Sequence, residues 1–174
     1  MLIKGLVDED FVNYKLPSMY IATATCSFKC DKEYGKPICQ NSELAKQPNI
    51  DIPIEDLVNR YINNPITKAV VFGGLEPLDQ IEDIALFIGT LRLCYSDSIG
   101  KYYGGCHDPV VIYTGYTEEE VGNLIRSVST EYSGFSFENI IIKFGRYIPN
   151  QQPHYDPVLG VYLASDNQYA ERIS

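Results

Sequence analysis

The chain contains no tryptophan, only two histidines, and no apolar run approaching the roughly 18 residues of a membrane-spanning helix. The last absence argues against a membrane partner. Behind Met1-Leu2-Ile3-Lys4-Gly5 there is no long apolar stretch, so no secretory leader is expected and the expected location is the cytoplasm. Basic residues are scarce. Fourteen Lys and Arg against 23 Asp and Glu give a formal charge of −9. A surface of that sign has too few cations to neutralise phosphates, so no nucleic acid is expected as a general partner. There is no internal repeat and no low-complexity tract.

The 174 residues are 45% hydrophobic and 21% charged, the composition of a globular protein able to bury a core. A single domain over 1–174 is expected. Strands and helices alternate along it. Met19 to Ala24 is rich in strand formers. Ile54, Leu57, Val58, Tyr61 and Ile62 recur at helical spacing and stop at Asn63-Asn64-Pro65. Lys68 to Phe72 is a short buried strand ending in Gly73-Gly74. A helix is expected over Asp79 to Cys94, with Ile81, Ile84, Ala85, Ile88 and Leu91 on one face and acids in the first turn.

Ser96 to Pro109 has loop composition. Val110 to Tyr113 is another strand, and Thr117-Glu118-Glu119-Glu120 has the form of a capping box. The helix it opens should bury Val121, Leu124, Ile125 and Val128. Asn139 to Phe144 and Gly160 to Ala164 are the last expected strands. The alternation is that of an α/β fold with a mainly parallel sheet, whose ligands collect at the carboxyl ends of the strands. Three motifs fall at such ends: a cysteine cluster, Gly73-Gly74, and Thr114-Gly115-Tyr116.

Three of the five cysteines are close together. Cys26 and Cys30 are separated by three residues, Cys30 and Cys39 by eight. They could be buried thiols, since cysteine is a good small core residue. Yet the intervening Lys29, Asp31, Lys32 and Glu33 make a polar loop with no core to fill. They could form a zinc site, the fourth ligand coming from Cys106 or His107. They could also hold an iron–sulfur cluster through three thiolates, leaving one iron open. Cys94 reads as a core residue of its helix, Cys106-His107 as an accessory pair or a plain loop, and His154 as a surface residue. The second signal is Val70 to Leu78, where a strand runs into Gly73-Gly74 and then Glu76-Pro77. The glycines let backbone approach a ligand, and Glu76 could pair with an ammonium group.

Together these residues resemble the radical SAM superfamily, which carries a cysteine triad after its first strand and a Gly-Gly-Glu/Asp-Pro motif after its second. The resemblance extends to anaerobic ribonucleoside-triphosphate reductase-activating proteins through Cys39-Gln40-Asn41-Ser42, Val110 to Tyr116, Gly145-Arg146-Tyr147 and Asp166-Asn167-Gln168. It implies a partial, open (β/α) barrel. It also implies a [4Fe-4S] cluster on Cys26, Cys30 and Cys39, with S-adenosylmethionine (SAM) bound through Ile38, Gly73, Gly74, Glu76 and Thr114. The implied activity is reductive cleavage of SAM to a 5′-deoxyadenosyl radical that activates a large glycyl-radical enzyme. That partner would be the anaerobic reductase, with flavodoxin or ferredoxin as electron donor.

Three features depart from the family pattern. The gap from Cys30 to Cys39 is longer than usual, Leu75 is inserted between Gly74 and Glu76, and Lys143-Phe144 stands where the family carries an acid. They leave open another glycyl-radical enzyme or peptide as substrate. A zinc-stabilised, non-catalytic binding module is the alternative of a different class.

Overall fold

Both faces of the central strands are apolar, and the sheet is covered on both sides as a result. The structure, a computed structural model, describes residues 1–93, 95–96, 102–103, 105–129 and 138–174. Cys94 lies outside the described residues. In chain order the first elements are β1 (Leu2–Asp10), β2 (Ser18–Thr23), α1 (Lys29–Tyr34), α2 (Ser42–Ala45), β3 (Ile50–Asp51) and α3 (Ile54–Ile62). Next come β4 (Ala69–Gly74), a 3₁₀ turn (Pro77–Gln80), α4 (Ile81–Arg92), β5 (Tyr95–Ser96), β6 (Tyr102–Tyr103) and β7 (Val110–Tyr113). The chain continues through α5 (Glu118–Ser129), β8 (Ile140–Phe144), β9 (His154–Asp156), β10 (Val161–Leu163) and β11 (Tyr169–Arg172).

Seven strands form one sheet in the order β11-β8-β7-β4-β2-β1-β3. The middle four, β8, β7, β4 and β2, are parallel to their neighbours. The flanking pairings, β1 with β2 and β3 and β11 with β8, are antiparallel. The α/β class and the parallel centre thus match expectation. The pairing order leaves β11 and β3 at the two ends and joins neither to the other, so the radical SAM type of barrel is not established by this sheet.

Alternation along each strand decides the layers. Val70 and Phe72 of β4 point toward α3 and α4, where Leu57, Val58, Phe87 and Leu91 are buried against them. Phe72 and Phe87 meet edge to face at 5.1 Å between centroids. Ala69 and Val71 point to the opposite side and pack with Val111, Ile141, Leu159 and Leu163, beneath the β9–β10 hairpin. This double burial is why the strands read as continuous apolar runs.

The departures are local. The helix expected from Asp79 begins as a 3₁₀ turn at Pro77, because Glu76 caps that turn, and it ends at Arg92. On α5, Val121 is buried but Ile125 is exposed, and Val128's side chain lies outside the described ones. Strand β1 carries Lys4, Asp8, Glu9 and Asp10 among its apolar residues, which hides its strand character in the sequence. Among the described residues, no helix is long and apolar enough to cross a membrane.

Phe72 is fully buried between sheet and helix. Phe72→Ala should lower unfolding stability by about 3–5 kcal/mol in urea titration, the usual cost of a large core cavity. A loss below about 1 kcal/mol would show that the β4–α4 contact is not a main support of the core.

Candidate functional site

At the carboxyl end of β4, Gly74 adopts φ +84, a left-handed conformation that a side chain would strain. A Cβ there would lie 2.8 Å from the Ala22 backbone, and a Cβ on Gly73 would meet the Tyr20 hydroxyl at 2.6 Å. Neither position has room for a side chain. The next residues turn back on the segment after β2. The Glu76 amide donates to Thr25 O (2.9 Å), and Gln80 Oε1 accepts from the amides of Ala24 (2.7 Å) and Thr25 (3.0 Å). Asp79 Oδ2 accepts from the Ser27 amide at 2.5 Å. The segment carrying Cys26 is therefore held in place by the Gly-Gly motif's own downstream residues.

The Glu76 carboxylate is buried and multiply bonded. Oε1 accepts from Thr114 Oγ1 (2.6 Å) and the Leu78 amide (3.1 Å), and Oε2 accepts from the Gly115 amide (2.9 Å). Burial raises its pKa, while the Thr114, Gly115 and Leu78 donors oppose the rise. Three of its roughly four acceptor positions are taken, so it ties the ends of β4 and β7 together whatever else it binds. Leu75, the inserted residue, lines the same pocket and bonds weakly through its amide to Thr23 O (3.4 Å).

The long gap between Cys30 and Cys39 is closed by Asp31. Its Oδ1 accepts from the amides of Ile38 (2.8 Å) and Cys39 (2.9 Å), folding the loop back onto α1. Phe28, at φ 52, bends the chain into that helix, and its amide donates to Cys26 Sγ at 3.2 Å. Cys26, Cys30 and Cys39 consequently line one pocket of about 350 Å3, in the size range of small-molecule sites. Gly73, Gly74, Glu76 and Thr114 line it too. Ile38 does not; it borders a neighbouring cavity with Tyr34 and Tyr147.

Burial pushes the Cys26 and Cys30 thiols up to about 11, and negative neighbours add to it: Glu76 and Asp79 for Cys26, Cys39 and Asp31 for Cys30. Both are therefore protonated at neutral pH. Among the described residues, no group of three His, Cys, Asp or Glu side chains is placed to hold a metal ion. Cys106 and His107 are remote from the cluster. They precede β7, whereas the three cysteines follow the parallel strand β2, so they sit at opposite ends of the sheet. The Cys106 amide bonds Leu91 O, and His107 pairs with Glu138 at 3.3 Å.

Helix α1 is clasped over the pocket from outside. Glu120 completes the expected capping box with Thr117 and also receives Lys29 Nζ (3.1 Å) and Arg146 Nη2 (2.9 Å). Arg146 Nε lies 3.1 Å from Glu33 on α1, as an ion pair without hydrogen-bond alignment. Lys29 Nζ also sits 4.0 Å above the Tyr116 ring, whose hydroxyl donates to Asp79. Burial would raise Glu120, but the Arg146, Thr117 and Lys29 donors outweigh it and its carboxyl falls to about 2.

The weaker sequence motifs converge on the same place. Asn41 donates to Gly74 O, Asn167 Nδ2 to Arg146 O (2.9 Å), and Gln168 Nε2 to Gly145 O (3.2 Å). Asp31, Asp79 and Gln80 were not singled out by their sequence context. Their roles depend on backbone amides distant in sequence, which no local pattern displays. Lys143 did carry a signal, as the one charge within Ile140–Phe144.

No family model matches the chain, and no solved structure matches it. Over 149 residues, 83% of this chain, it is 29% identical to a protein of Lactococcus lactis subsp. lactis (strain IL1403) named as an uncharacterized RNA methyltransferase, YljE. The match covers 32% of that protein, so the chain spans about a third of its relative's length. This finding corrects the sequence reading. The relative is named for methyl transfer, not for activating a glycyl-radical enzyme, and the cysteines are not arranged as a metal-ligand group. The assignment to radical SAM activases, with its [4Fe-4S] cluster and its 5′-deoxyadenosyl radical, is withdrawn. The cysteine spacing and the Gly-Gly-Leu-Glu-Pro turn suggested a ligand set. In the structure the three cysteines line one pocket and the turn forms a hydrogen-bonded strand junction.

Three outcomes follow from this geometry. Iodoacetamide alkylation of Cys26 and Cys30, followed by mass spectrometry, should inflect near pH 11 and run about a hundredfold slower at pH 8 than a thiol of ordinary pKa. An inflection below 9 would contradict the acidic, buried setting. Glu76→Gln places an amide N–H against backbone donors and should cost roughly 1–3 kcal/mol in denaturant unfolding; an unchanged midpoint would show that the strand junction does not depend on this carboxylate. The stability supplied by Glu120 should be complete above its unfolded pKa of 4.5 and lost as pH falls toward about 2. Glu120→Gln should flatten that stretch of the stability–pH curve, and an unaltered curve would mean the clasp is energetically silent.

Proposed function

We propose that the pocket binds SAM and that the chain is the methyl-donor-binding part of a methyltransferase. The observation that supports this best is a pocket of about 350 Å3 at the carboxyl ends of parallel strands β2, β4 and β7, lined by Gly74, Glu76 and Thr114. Such ends are where α/β sheets bind ligands. The relative named as an RNA methyltransferase supports the same ligand, since methyltransferases commonly draw on SAM.

The residues present fit such a ligand. The Glu76 carboxylate lines the pocket together with the cations Lys29, Lys143 and Arg146, a mixed charge pattern that suits a ligand carrying both signs, as SAM does. When bound, SAM supplies an electrophilic methyl group for transfer to a nucleophile. The protein's part is to hold and orient: Glu76 and Thr114 fix the floor of the pocket, and Asp31 folds the Cys39 loop over one side. The α1 clasp through Glu33, Glu120 and Arg146 holds that helix beside the pocket.

RNA is the acceptor class proposed from the relative's name. The chain's net charge of −9 offers little for phosphate contacts, so the proposal concerns the methyl-donor side of the reaction. Isothermal titration of the protein with SAM and with S-adenosylhomocysteine tests it. Saturable binding of both, with dissociation constants below about 100 μM, is expected. Absence of heat for both nucleosides at millimolar concentration would overturn the proposal.

A further inference from the structure

Lys143 is the one charged residue in the strand Ile140–Phe144, and its side chain is buried at 7% exposure. It lines the same pocket as Gly74 and Glu76. A buried ammonium is costly unless an anion or a full set of acceptors compensates it. Lys143 Nζ can donate three hydrogen bonds. Among the described residues it makes one, to Gly145 O at 2.8 Å, and that oxygen is shared with Gln168.

The Glu76 carboxylate is close enough to act on Lys143, but its oxygens are committed to Thr114, Leu78 and Gly115. The ion pairs among the described residues do not include one between the two. Arg146 and Lys29, the other cations lining the pocket, are both paired with Glu120, and Arg146 with Glu33 as well. Lys143 is thus a cation inside the pocket with donors to spare and no direct anion. Burial depresses its pKa to about 8, and the nearby Glu76 charge holds it from falling further.

From this geometry we infer that Lys143 Nζ is the receptor for the carboxylate of an α-amino-acid ligand, which on the SAM reading above is the methionine carboxylate. The charge pattern selects this class of anion. A buried cation beside a buried carboxylate complements a zwitterion, whose ammonium lies near its own carboxylate. A phosphate dianion would meet one lysine and the opposing Glu76 charge. Lys143 is a binding and positioning residue; nothing requires it to exchange a proton in the reaction.

The inference rests on the SAM reading but is separable from it by experiment. Titrate wild type and Lys143→Met with SAM and with S-adenosylmethioninamine, its decarboxylated analogue, and follow thermal unfolding of both proteins. Wild type should bind SAM at least tenfold more tightly than the analogue. Lys143→Met should lose that preference, bind the analogue as wild type does, and unfold at a higher temperature because a buried charge has been removed. Equal wild-type affinity for the two nucleosides would overturn the inference, as would undiminished SAM preference in Lys143→Met. If Lys143→Met does not fold, the wild-type comparison alone decides. If wild type binds neither nucleoside, the SAM reading fails. The lysine Cε resonance that disappears in Lys143→Met, or that is assigned by a second variant Lys143→Gln, is then followed during titration with L-methionine. A saturable shift absent with methioninol keeps the carboxylate receptor, and no shift overturns it.

Discussion

The site depends on one buried carboxylate. Glu76 accepts from the Thr114 hydroxyl, the Gly115 amide and the Leu78 amide, and so locks the end of β4 to the end of β7. The turn it caps presents Asp79 and Gln80 to the chain leaving β2, which fixes Cys26. Three neighbouring parallel strands are thereby joined by polar contacts at one edge of the sheet, and the pocket is the space these contacts leave. Breaking them would disturb the cysteine loop, the Gly73-Gly74 turn and the α5 clasp together. In a low-dielectric site such a network stabilises strongly when satisfied and costs heavily when incomplete.

Much of the fold was legible in the sequence because burial imposes simple periods. The β4 run from Ala69 and the α3 face of Ile54, Leu57, Val58 and Tyr61 appear where the pattern places them. The Thr117–Glu120 box closes as its spacing requires. The antiparallel flanks were not legible. Strand β1 mixes Lys, Asp and Glu with apolar residues, and the short β11 follows a turn with no hairpin signature. These strands alter the architecture, since they flank the parallel centre with antiparallel neighbours.

Residue types at strand ends pointed to one place in the fold but did not determine its chemistry. Cys26, Cys30 and Cys39 do come to one pocket with Gly73, Gly74, Glu76 and Thr114. Spacing alone, however, does not tell whether cysteines that share a pocket also share a metal ion. Nor does it show the burial, or the Glu76, Asp79 and Asp31 charges the fold brings alongside, that raise the Cys26 and Cys30 thiols. The similarity to a protein named as an RNA methyltransferase speaks against the radical-activation expectation. The lone lysine in β8, a departure from the resembled pattern, becomes a specific feature of this pocket.

The central claim is that a SAM molecule occupies the pocket bounded by the Gly73–Gln80 turn. Ultraviolet crosslinking with radiolabelled SAM, followed by peptide mapping, tests it most directly. The account predicts label within residues 73–80 and 113–116, competed by S-adenosylhomocysteine. Label confined to peptides outside that pocket, or label that excess unlabelled nucleoside does not displace, would contradict it.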